Sequence, residues 1–438
     1  MNFAESQQYL LSLGNEVAAM KLGLDNITKL LKALGGPQNS YLKVQVAGTN
    51  GKGSVCAFLD SICREAGIRT GLYTSPHLIS MTERIKINGA EIGEAEFARI
   101  AGRVRKTAEE MLQTGDVSHI PTFFEQMTAI GLVAFAEAGV EAAILETGLG
   151  GRFDATTAAR AELAAITRID LDHQGYLGDT LEKIAAEKGA IIRPDSLAVI
   201  GAQHASVKAV LDEQCRRVGV IPQTDCRASV GASEPKLKSR SAEFTTANAV
   251  YKINELGLAG KHQAENACIA VMAAERLRYD LGLPIDDDAV VRGLERARHP
   301  GRLEYQGRFL FDGAHNAGGA EALRTFLDEN ERRPITLIFG AMSDKSIEEI
   351  LTLLAPAASS VVLTEAMNSR SAAYADLLEY LPPTLSKERV FATDNAEKAL
   401  TIAAEVTPAD GIMVVTGSLY LVGEIKKLLN EALPNSNF

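Results

Sequence analysis

The segment Gly48-Thr49-Asn50-Gly51-Lys52-Gly53-Ser54 carries the residue types that bind nucleotide phosphates. Closely spaced glycines let successive backbone N–H groups point inward, and the N-terminal end of a following helix adds positive charge. A Lys beside such a turn compensates phosphate charge, and a nearby hydroxyl can serve a bound Mg²⁺. The spacing departs from the usual phosphate-loop pattern, because Gly53 follows Lys52 directly and the hydroxyl falls to Ser54. We expect a nucleoside triphosphate here, and the alternative is a glycine-rich turn without a ligand.

Polar residues follow other apolar runs, and ligands of open α/β sheets gather at such strand ends. Glu146 ends the run Ala142–Leu145 and precedes a glycine-rich loop. A carboxylate there can hold Mg²⁺, although it could also cap a helix. His173 comes after the predicted strand Leu163–Thr167. A lone His is more often a satisfied core or surface residue, and Mg²⁺ prefers oxygen, so His173 alone would not predict a metal ligand.

The C-terminal half offers three more polar candidates. Arg302 has the planar fork that suits phosphate oxygens. Asn266 can offer both a donor and an acceptor to an adenine edge. Asp312 lies in the polar turn Asp312–Asn316 at the end of an apolar strand. Each is weak evidence alone, because isolated Arg and Asn residues are usually solvated.

Composition limits the class of protein. The chain has 438 residues, 46% of them hydrophobic, and a formal net charge of −11, which argues against a nucleic-acid groove. Its five cysteines show no C-x-x-C spacing, so we expect free buried thiols in a reducing compartment. Met1–Leu13 lacks the features of a signal peptide, and no apolar run approaches the length of a membrane span. We expect a soluble, cytoplasmic protein.

Short β-rich runs alternate with helical patterns, which predicts a mainly parallel sheet flanked by helices. Helices are predicted over Asp60–Ala66 and Phe97–Leu112, and a small β appendage over Gln223–Leu258. The predicted strands of the first part are Leu42–Ala47, Arg69–Tyr73, Ala142–Glu146, Leu163–Thr167 and Leu197–Ile200.

Pro and Gly at Arg298–Gly301 interrupt a helix ending near Ala297 and predict a domain boundary. A second alternation follows and predicts a smaller Rossmann-like α/β domain. It lacks the dinucleotide glycine fingerprint after its first strand, so we expect no nicotinamide cofactor. Its predicted strands are Arg308–Phe311, Ile335–Phe339, Ser360–Thr364, Arg389–Ala392 and Gly411–Thr416.

Taken together, these motifs resemble the folylpolyglutamate synthase and dihydrofolate synthase branch of the Mur ligase superfamily, over essentially the whole chain. The Lys-Gly-Ser ending of the phosphate loop is typical of this branch. The resemblance implies an ATP-binding central domain with an N-terminal pterin-binding segment over residues 1–298 and a glutamate-ligase domain over residues 299–438. The other motifs that carry it are Thr74–Leu78, Glu83–Ile85 with Asn88-Gly89, Thr122–Glu125, Gly148–Asp154, Asp312–Asn316 and Gly417–Tyr420.

The resemblance also implies roles for individual residues. Lys188 matches a lysine that reacts with CO₂ to form a carbamate, and two Mg²⁺ ions are implied. The implied ATP-binding residues are Gly48, Thr49, Asn50, Gly51, Lys52, Gly53, Ser54, Asn266, Arg302 and Asp312. The implied metal-site residues are Ser75, Glu146, His173 and Lys188. Thr122, Phe124, Asp154 and Ala155 match positions near a pterin, and His315 and Ser418 match positions near the incoming glutamate.

The implied activity is ATP-dependent addition of L-glutamate to dihydropteroate and to reduced folates through an acyl phosphate. The bifunctional form is inferred from Leu22–Asn26, and the alternatives are polyglutamylation alone, a peptidoglycan Mur ligase or a non-catalytic nucleotide switch. We expect a monomer that binds these small molecules and neither nucleic acid nor membrane. Thr147, Phe153, Thr157 and the order Gly189-Ala190 depart from the family pattern.

Overall fold

Parallel strands separated by helices build the first part of the chain. The computed structural model describes residues 1–14, 23–231 and 240–432. The order of the strands of the first sheet is β4-β3-β2-β5-β1-β6-β7, where the strands are β1 (Leu42–Ala47), β2 (Thr70–Tyr73), β3 (Ile85–Ile87), β4 (Ala90–Glu91), β5 (Ala142–Glu146), β6 (Leu163–Ile166) and β7 (Leu197–Ile200). The strands β2, β5, β1, β6 and β7 run parallel to one another, while β3 and β4 form an antiparallel edge next to β2.

Helices cover both faces of this sheet. They are α1 (Phe3–Ser12), α2 (Asp25–Ala33), α3 (Lys52–Glu65), α4 (Glu94–Thr114), α5 (Phe123–Ala138), α6 (Gln174–Leu177), α7 (Leu181–Gly189), α8 (Ala205–Val218), α9 (His262–Tyr279) and α10 (Asp287–Arg296). In α3, Val55, Phe58, Leu59 and Ile62 are fully buried, and their spacing places them on one face against the sheet. Helix α5 is buried along most of its length, which suits its almost continuous apolar sequence.

A three-stranded antiparallel sheet follows α8 in the chain and forms the predicted β appendage. Its strands are β8 (Arg227–Val230), β9 (Ala242–Thr245) and β10 (Val250–Ile253). Phe244 and Tyr251 are buried and join the same apolar core as α3 and α9. The Tyr251 hydroxyl donates a hydrogen bond to Glu275 Oε1 on α9 at 3.1 Å. The appendage is therefore fixed to the helix that carries Asn266.

The second sheet has its own core. Its order is β11-β12-β16-β13-β14-β15, with β11 (Glu304–Gln306), β12 (Phe309–Phe311), β13 (Ile335–Phe339), β14 (Ser360–Leu363), β15 (Val390–Ala392) and β16 (Ile412–Thr416). Only the β11–β12 pair is antiparallel among the pairs of this sheet in the described residues. The helices around it are α11 (Ala317–Asn330), α12 (Ile347–Leu354), α13 (Tyr374–Glu379), α14 (Ala396–Val406) and α15 (Leu419–Ala432).

The fold class predicted from sequence is confirmed, with local differences. The predicted helix Asp60–Ala66 is the C-terminal half of α3, which begins at Lys52 directly after the glycine-rich turn. The antiparallel edge strands β3, β4 and β11 were not predicted, because two or three residues are too few to show an alternating pattern. Cys226 is only half-buried, so the expectation of buried thiols is wrong there. The division at 298/299 stays a prediction.

Within the described ranges, no helix is both long enough and apolar enough to cross a bilayer.

Candidate nucleotide and substrate site

The turn between β1 and α3 requires glycine at two positions. Gly48 and Gly51 have φ angles of 154° and 91°, which L side chains rarely adopt. A Cβ on Gly48 would lie 1.8 Å from Thr167 Oγ1, and one on Gly51 would lie 2.1 Å from Asn266 Oδ1. The backbone therefore passes close to its neighbours and leaves the N-terminal end of α3 facing an open cleft. That end of a helix attracts anions.

We call this space the nucleotide cleft. It is lined by Thr49–Ser54, Ser75, Glu146, Asp172, His173, Lys188, Asn266, Arg302, Asp312 and His315, among others. Its volume is about 410 Å³. Every residue predicted for ATP or metal binding lines the cleft, apart from Gly48, which lies in the turn beneath it. The structure thus brings together residues from both sheets.

Lys52 is held by the turn that it belongs to. Its Nζ donates to Gly48 O at 3.1 Å and to Thr49 O at 3.2 Å. Burial lowers the pKa of Lys52, while the nearby Glu146 carboxylate acts in the opposite direction. Two carbonyl oxygens are modest partners for an ammonium group. Lys52 can therefore turn to a phosphate oxygen, which would be a stronger, charged acceptor.

Glu146 ends β5, next to β1 at the centre of the sheet. Its carboxylate is buried, and Oε2 accepts a hydrogen bond from Ser75 N at 3.1 Å. Burial raises the pKa of Glu146, and Lys52 opposes that shift. The helix-capping alternative for Glu146 does not apply, since it is the last residue of a buried strand. It is a buried acid with one oxygen still available inside the cleft.

Asp172 joins the two sheets. It follows β6, and it accepts from Lys345 Nζ at 2.6 Å and from Asn316 Nδ2 at 3.2 Å. His315 Nε2 lies 3.6 Å from its Oδ2. Burial alone would raise the pKa of Asp172, but the hydrogen bond and charge of His315 and the Lys345 ammonium hold it well below its usual value. Asp172 is an anionic contact between the domains.

His173 lies beside this contact, and its ring makes few hydrogen bonds. Burial lowers the pKa of His173 to about 4, so its imidazole is neutral near pH 7. Its Nδ1 is buried and has no hydrogen-bond partner among the residues that the structure describes. Its Nε2 lies 3.3 Å from Lys345 Nζ. Because the Lys345 ammonium can only donate, Nε2 is the acceptor in this contact and the proton of the neutral ring lies on Nδ1. Nδ1 could bind a cation in the other tautomer, with Lys345 turned away from Nε2.

Lys188 is a buried lysine near the end of α7. Its Nζ donates to Gly48 O at 2.9 Å, so it lies directly beneath the phosphate turn. Burial, with a smaller contribution from the Lys52 charge, lowers the pKa of Lys188 to about 7. A large fraction of its side chain is therefore a neutral amine at neutral pH.

The predicted ATP residues outside the turn differ in what they already contact. Asn266 Nδ2 donates to Gln263 Oε1 at 2.9 Å. Both oxygens of Asp312 accept from backbone, from Leu303 N and from Ala314 N, each at 3.0 Å. Burial raises the pKa of Asp312. In this arrangement Asp312 shapes the turn that carries His315 and also borders the cleft.

A second, more apolar cavity adjoins the cleft, and we call it the acceptor pocket. It is lined by Thr122, Phe124, Glu125, Asp154, Ala155, Lys345, Arg370 and Ser418, among others, and its volume is about 160 Å³. The nucleotide cleft and the acceptor pocket share Ser75, Pro76, Gly148, Leu149, His173, His315 and Leu419. All six residues predicted to bind the two substrates line this pocket.

The inner wall of the acceptor pocket comes from the start of α5. Thr122 caps this helix, and its N–H donates to Glu125 Oε2 at 2.8 Å. Glu125 Oε1 is buried and has no hydrogen-bond partner within the described ranges. Phe124 packs on Tyr73 with ring centroids 6.1 Å apart. This wall offers an aromatic edge and an unsatisfied acceptor.

Sequence reasoning did not assign roles to Lys345, Arg370 or Glu125. Lys345 lies 173 residues from Asp172 in the chain, and no local motif marks it. Arg370 lies in a loop after β14, and an isolated Arg in a loop usually predicts a solvated side chain. Glu125 ends the motif Thr122–Glu125, but its i+3 spacing from Thr122 is typical of a helix capping box and does not indicate a ligand contact. Only the fold shows that these side chains reach one pocket.

Comparisons with known proteins identify the family. The Mur ligase middle domain matches residues 46–274, and the dihydrofolate synthetase C-terminal domain matches residues 299–429. The dihydrofolate synthase/folylpolyglutamate synthase of Bacillus subtilis (strain 168) is 33% identical over 416 residues, covering 94% of this chain and 95% of that relative. The chain belongs to the dihydrofolate synthase/folylpolyglutamate synthase family. The resemblance inferred from the motifs is confirmed.

Solved structures of the dihydrofolate synthase/folylpolyglutamate synthase family share the fold. A Mycobacterium tuberculosis folylpolyglutamate synthase complexed with ADP gives a TM-score of 0.89 at 31% identity, covering 97% of this chain and 98% of that one. Escherichia coli FolC in complex with DHPP and ADP gives 0.85 at 28% identity, covering 98% of each chain. The chain spans only 51% of two archaeal relatives, named probable bifunctional folylpolyglutamate synthase/dihydropteroate synthases, from Haloferax volcanii and Halobacterium salinarum.

Proposed function

We propose that this chain is an ATP-dependent ligase that joins L-glutamate to dihydropteroate and to reduced folates through an acyl phosphate. The observation that carries the proposal is the shared wall between the nucleotide cleft and the acceptor pocket. A carboxylate in the pocket would lie within reach of a phosphoryl group in the cleft. The names of the family relatives and the ADP in two of their structures support it.

The first step transfers the γ-phosphoryl group of ATP to the acceptor carboxylate. A carboxylate is a poor electrophile, and the acyl phosphate gives its carbon a good leaving group. Lys52, the α3 N-terminus and Arg302 from the second domain would stabilise the charge on the transferred group. The amino group of L-glutamate then attacks the acyl carbon, phosphate leaves, and an amide forms. No nucleophile from the protein is required.

The residues at the cleft fit a divalent metal. Mg²⁺ usually takes one or two protein carboxylates and completes its shell with water and substrate phosphates. Glu146 offers a buried carboxylate, Ser54 and Ser75 offer hydroxyls, and His173 has a ring nitrogen without a partner among the described residues. Bound there, Mg²⁺ would neutralise phosphate charge. No group of three or more His, Cys, Asp or Glu side chains that could hold a metal ion occurs in the described part of the chain, so the proposed site needs the nucleotide and water to supply its remaining ligands.

Carbamylation of Lys188 is part of this proposal. The neutral amine attacks the carbon of CO₂, a C–N bond forms, and the nitrogen loses a proton to leave an anionic carbamate. Its position beneath Gly48 and its pKa of about 7 supply the neutral amine that this reaction needs. The carbamate would replace a cation that repels Mg²⁺ with an anion that attracts it.

The acceptor pocket suits a flat pteridine joined to a benzoate. Phe124 offers a ring face or edge to a heterocycle, and Glu125 Oε1 offers an acceptor for one of its N–H groups. Asp154 borders the pocket, but its two oxygens already accept from Leu149 N and from Thr156. His315 and Ser418 come from the second domain, at the side where glutamate would enter. One chain supplies both walls, which supports a monomer. Of the segment Leu22–Asn26, on which bifunctionality was inferred, Leu22 lies outside the described residues, and Gly23 lines the pocket.

The test is ATP-dependent phosphate release with Mg²⁺ and L-glutamate, comparing dihydropteroate with tetrahydrofolate and identifying products by mass. Products from both acceptors support the bifunctional enzyme. A product from only one of them restricts the activity to that acceptor. Failure to form any glutamate-linked product while nucleotide still binds would exclude the ligase.

A further inference from the structure

The side chain of Asn50, in the middle of the phosphate turn, has a partner on each side. Its Nδ2 donates to Asp170 Oδ2 at 3.0 Å, and its Oδ1 accepts from Asn316 Nδ2 at 3.0 Å. Asp170 follows β6 in the first domain, whereas Asn316 follows β12 in the second domain. The resemblance implied that Asn50 binds ATP, but in the structure both polar atoms of its side chain serve a contact between the domains.

The neighbours of Asn50 fix the direction of these hydrogen bonds. Asn316 caps α11, and its Oδ1 accepts from Gly319 N at 2.9 Å, so Nδ2 is the atom that faces Asn50. The same Nδ2 also donates to Asp172 Oδ2 at 3.2 Å. An ionised carboxylate can only accept, so Asn50 donates to Asp170 and accepts from Asn316. An amide meets both demands, and neither an apolar side chain nor a carboxylate does.

Helix α11 lies along the nucleotide cleft and contacts the first domain near both of its ends. Gly318 and Thr325 of this helix line the cleft. At the first turn, a Cβ on Gly318 would lie 3.0 Å from Asn50 Nδ2, so the helix packs closely on the phosphate turn. Near the other end, Glu329 Oε2 accepts from Arg240 Nη2 at 2.7 Å. Loss of the Asn50 contact would therefore loosen only one end of α11.

The hydrogen bond between Asn50 and Asn316 depends on the conformation of the phosphate turn. Gly51 and Gly53 restrict the backbone of this turn less than other residues would. A triphosphate restricts it through contacts with the backbone N–H groups. A restricted turn holds the Asn50 amide in the orientation that accepts from Asn316, and the docked Asn316 restricts the turn in the same way. Two events that favour one arrangement are coupled, and the coupling is reciprocal.

We infer that Asn50 is a positioning residue that couples the binding of a nucleoside triphosphate at the phosphate turn to the docking of α11. This inference rests on the proposed binding of ATP in the cleft. Helix α11 follows directly on the turn that carries His315, and Arg302 belongs to the same domain. The coupling therefore favours the contribution of these two side chains when nucleotide is bound.

The experiment is a double-mutant cycle on Asn50→Ala and Asn316→Ser. The Kd of the ATP analogue AMPPNP with Mg²⁺ is measured by titration calorimetry. Serine keeps an oxygen that can cap α11 but has no amide to donate to Asn50. Each single variant should raise Kd about 3- to 10-fold, as expected for one lost hydrogen bond, and the double variant should raise it no further than the larger single effect. Binding stoichiometry should stay that of wild type, which separates lost coupling from partial unfolding.

The matched control is Asn395→Ser. Asn395 caps α14 in the same domain, and its Oδ1 accepts from Lys398 N at 2.9 Å, so this variant changes a cap away from the cleft and should leave Kd unchanged. If the effects of Asn50→Ala and Asn316→Ser multiply in the double variant, Asn50 acts on the nucleotide independently of α11 and the inference is wrong. An unchanged Kd in Asn50→Ala would also overturn it. The proposed function fails separately, if wild type binds AMPPNP but forms no glutamate-linked product from ATP.

Discussion

The nucleotide cleft and the acceptor pocket adjoin each other, yet they are built differently. The cleft is formed largely by backbone and buried charge from the first domain, namely a glycine turn, the α3 N-terminus and the side chains of Lys52, Glu146 and Lys188, and the second domain completes it with Arg302, Asp312 and His315. The pocket is formed by side chains from two domains and joins an apolar, acidic wall at α5 to a cationic wall at the second sheet. Substitutions in the cleft should therefore affect chemistry, and those in the pocket should affect the choice of substrate.

The largest effect is expected at Lys52. Lys52→Met removes the ammonium beside the phosphate turn, so the charge on the transferred phosphoryl group loses a stabilising partner. We expect kcat to fall by about 10³-fold with both acceptors. Acceptor binding, measured by titration calorimetry, should be unchanged because Lys52 does not line the pocket. A parallel loss of acceptor affinity would contradict the separation of the two regions.

Substitution of Lys188 should have opposite effects on stability and on activity, because its burial destabilises the fold while its amine is needed for the reaction. Burial lowers the pKa of Lys188 from its ordinary value of 10.5 to about 7, so the folded state disfavours the proton and the free energy of unfolding should rise with pH between these values. Lys188→Met should lower kcat, though less than Lys52→Met does, while leaving Tm at pH 7 equal or higher, since Lys52 still donates to Gly48 O.

The pH profile of the wild type gives a second check on Lys188. Below about pH 7 the amine is protonated and cannot react with CO₂, so activity should fall in that range. Added bicarbonate should partly restore it. An unchanged rate after removal of CO₂ and bicarbonate would argue against the carbamate, and intact-mass measurement of the native protein would provide independent evidence.

The two regions also differ in how well the sequence predicts them, because one is built from local motifs and the other from contacts between distant residues. The phosphate turn, Glu146 and the alternation of strands are local patterns, and the structure places them as expected. The pair of Asp172 and Lys345 joins positions 173 residues apart, so its existence depends on how two independently built sheets dock. Short edge strands such as β4 depend on pairing with a neighbour rather than on their own sequence. The local arrangement of these residues was predictable, and the contacts between domains were not.

The contact between domains is tested at Lys345. Lys345→Met leaves the buried Asp172 carboxylate without its ammonium partner, which destabilises the contact between the two domains by about 3–5 kcal/mol. We expect kcat/KM for glutamate to fall on the order of 10- to 100-fold and small-angle scattering to show a larger radius of gyration. Adding Asp172→Asn should recover part of the lost domain contact, because the unpaired charge is then removed.

An exposed ion pair provides the control for Lys345. Lys398 pairs with Asp394 at 2.8 Å on the surface of the same domain. Such pairs contribute little, so Lys398→Met should leave scattering and kinetics unchanged. If Lys345→Met behaved in the same way, the Asp172–Lys345 pair would not be what holds the domains together.

The smallest effect is expected at the aromatic edge of the acceptor pocket. Phe124→Leu keeps an apolar side chain but removes the ring that a pteridine would contact, so KM for dihydropteroate and for tetrahydrofolate should both rise about 3- to 10-fold. KM for ATP should not change. Phe135, on the same helix, is fully buried and lies outside the pocket. Phe135→Leu should therefore lower Tm without changing either acceptor KM, because it alters packing alone. A similar rise in both variants would mean that the pocket responds to the packing of α5 as a whole, and the separation between a substrate-selecting wall and its supporting core would fail.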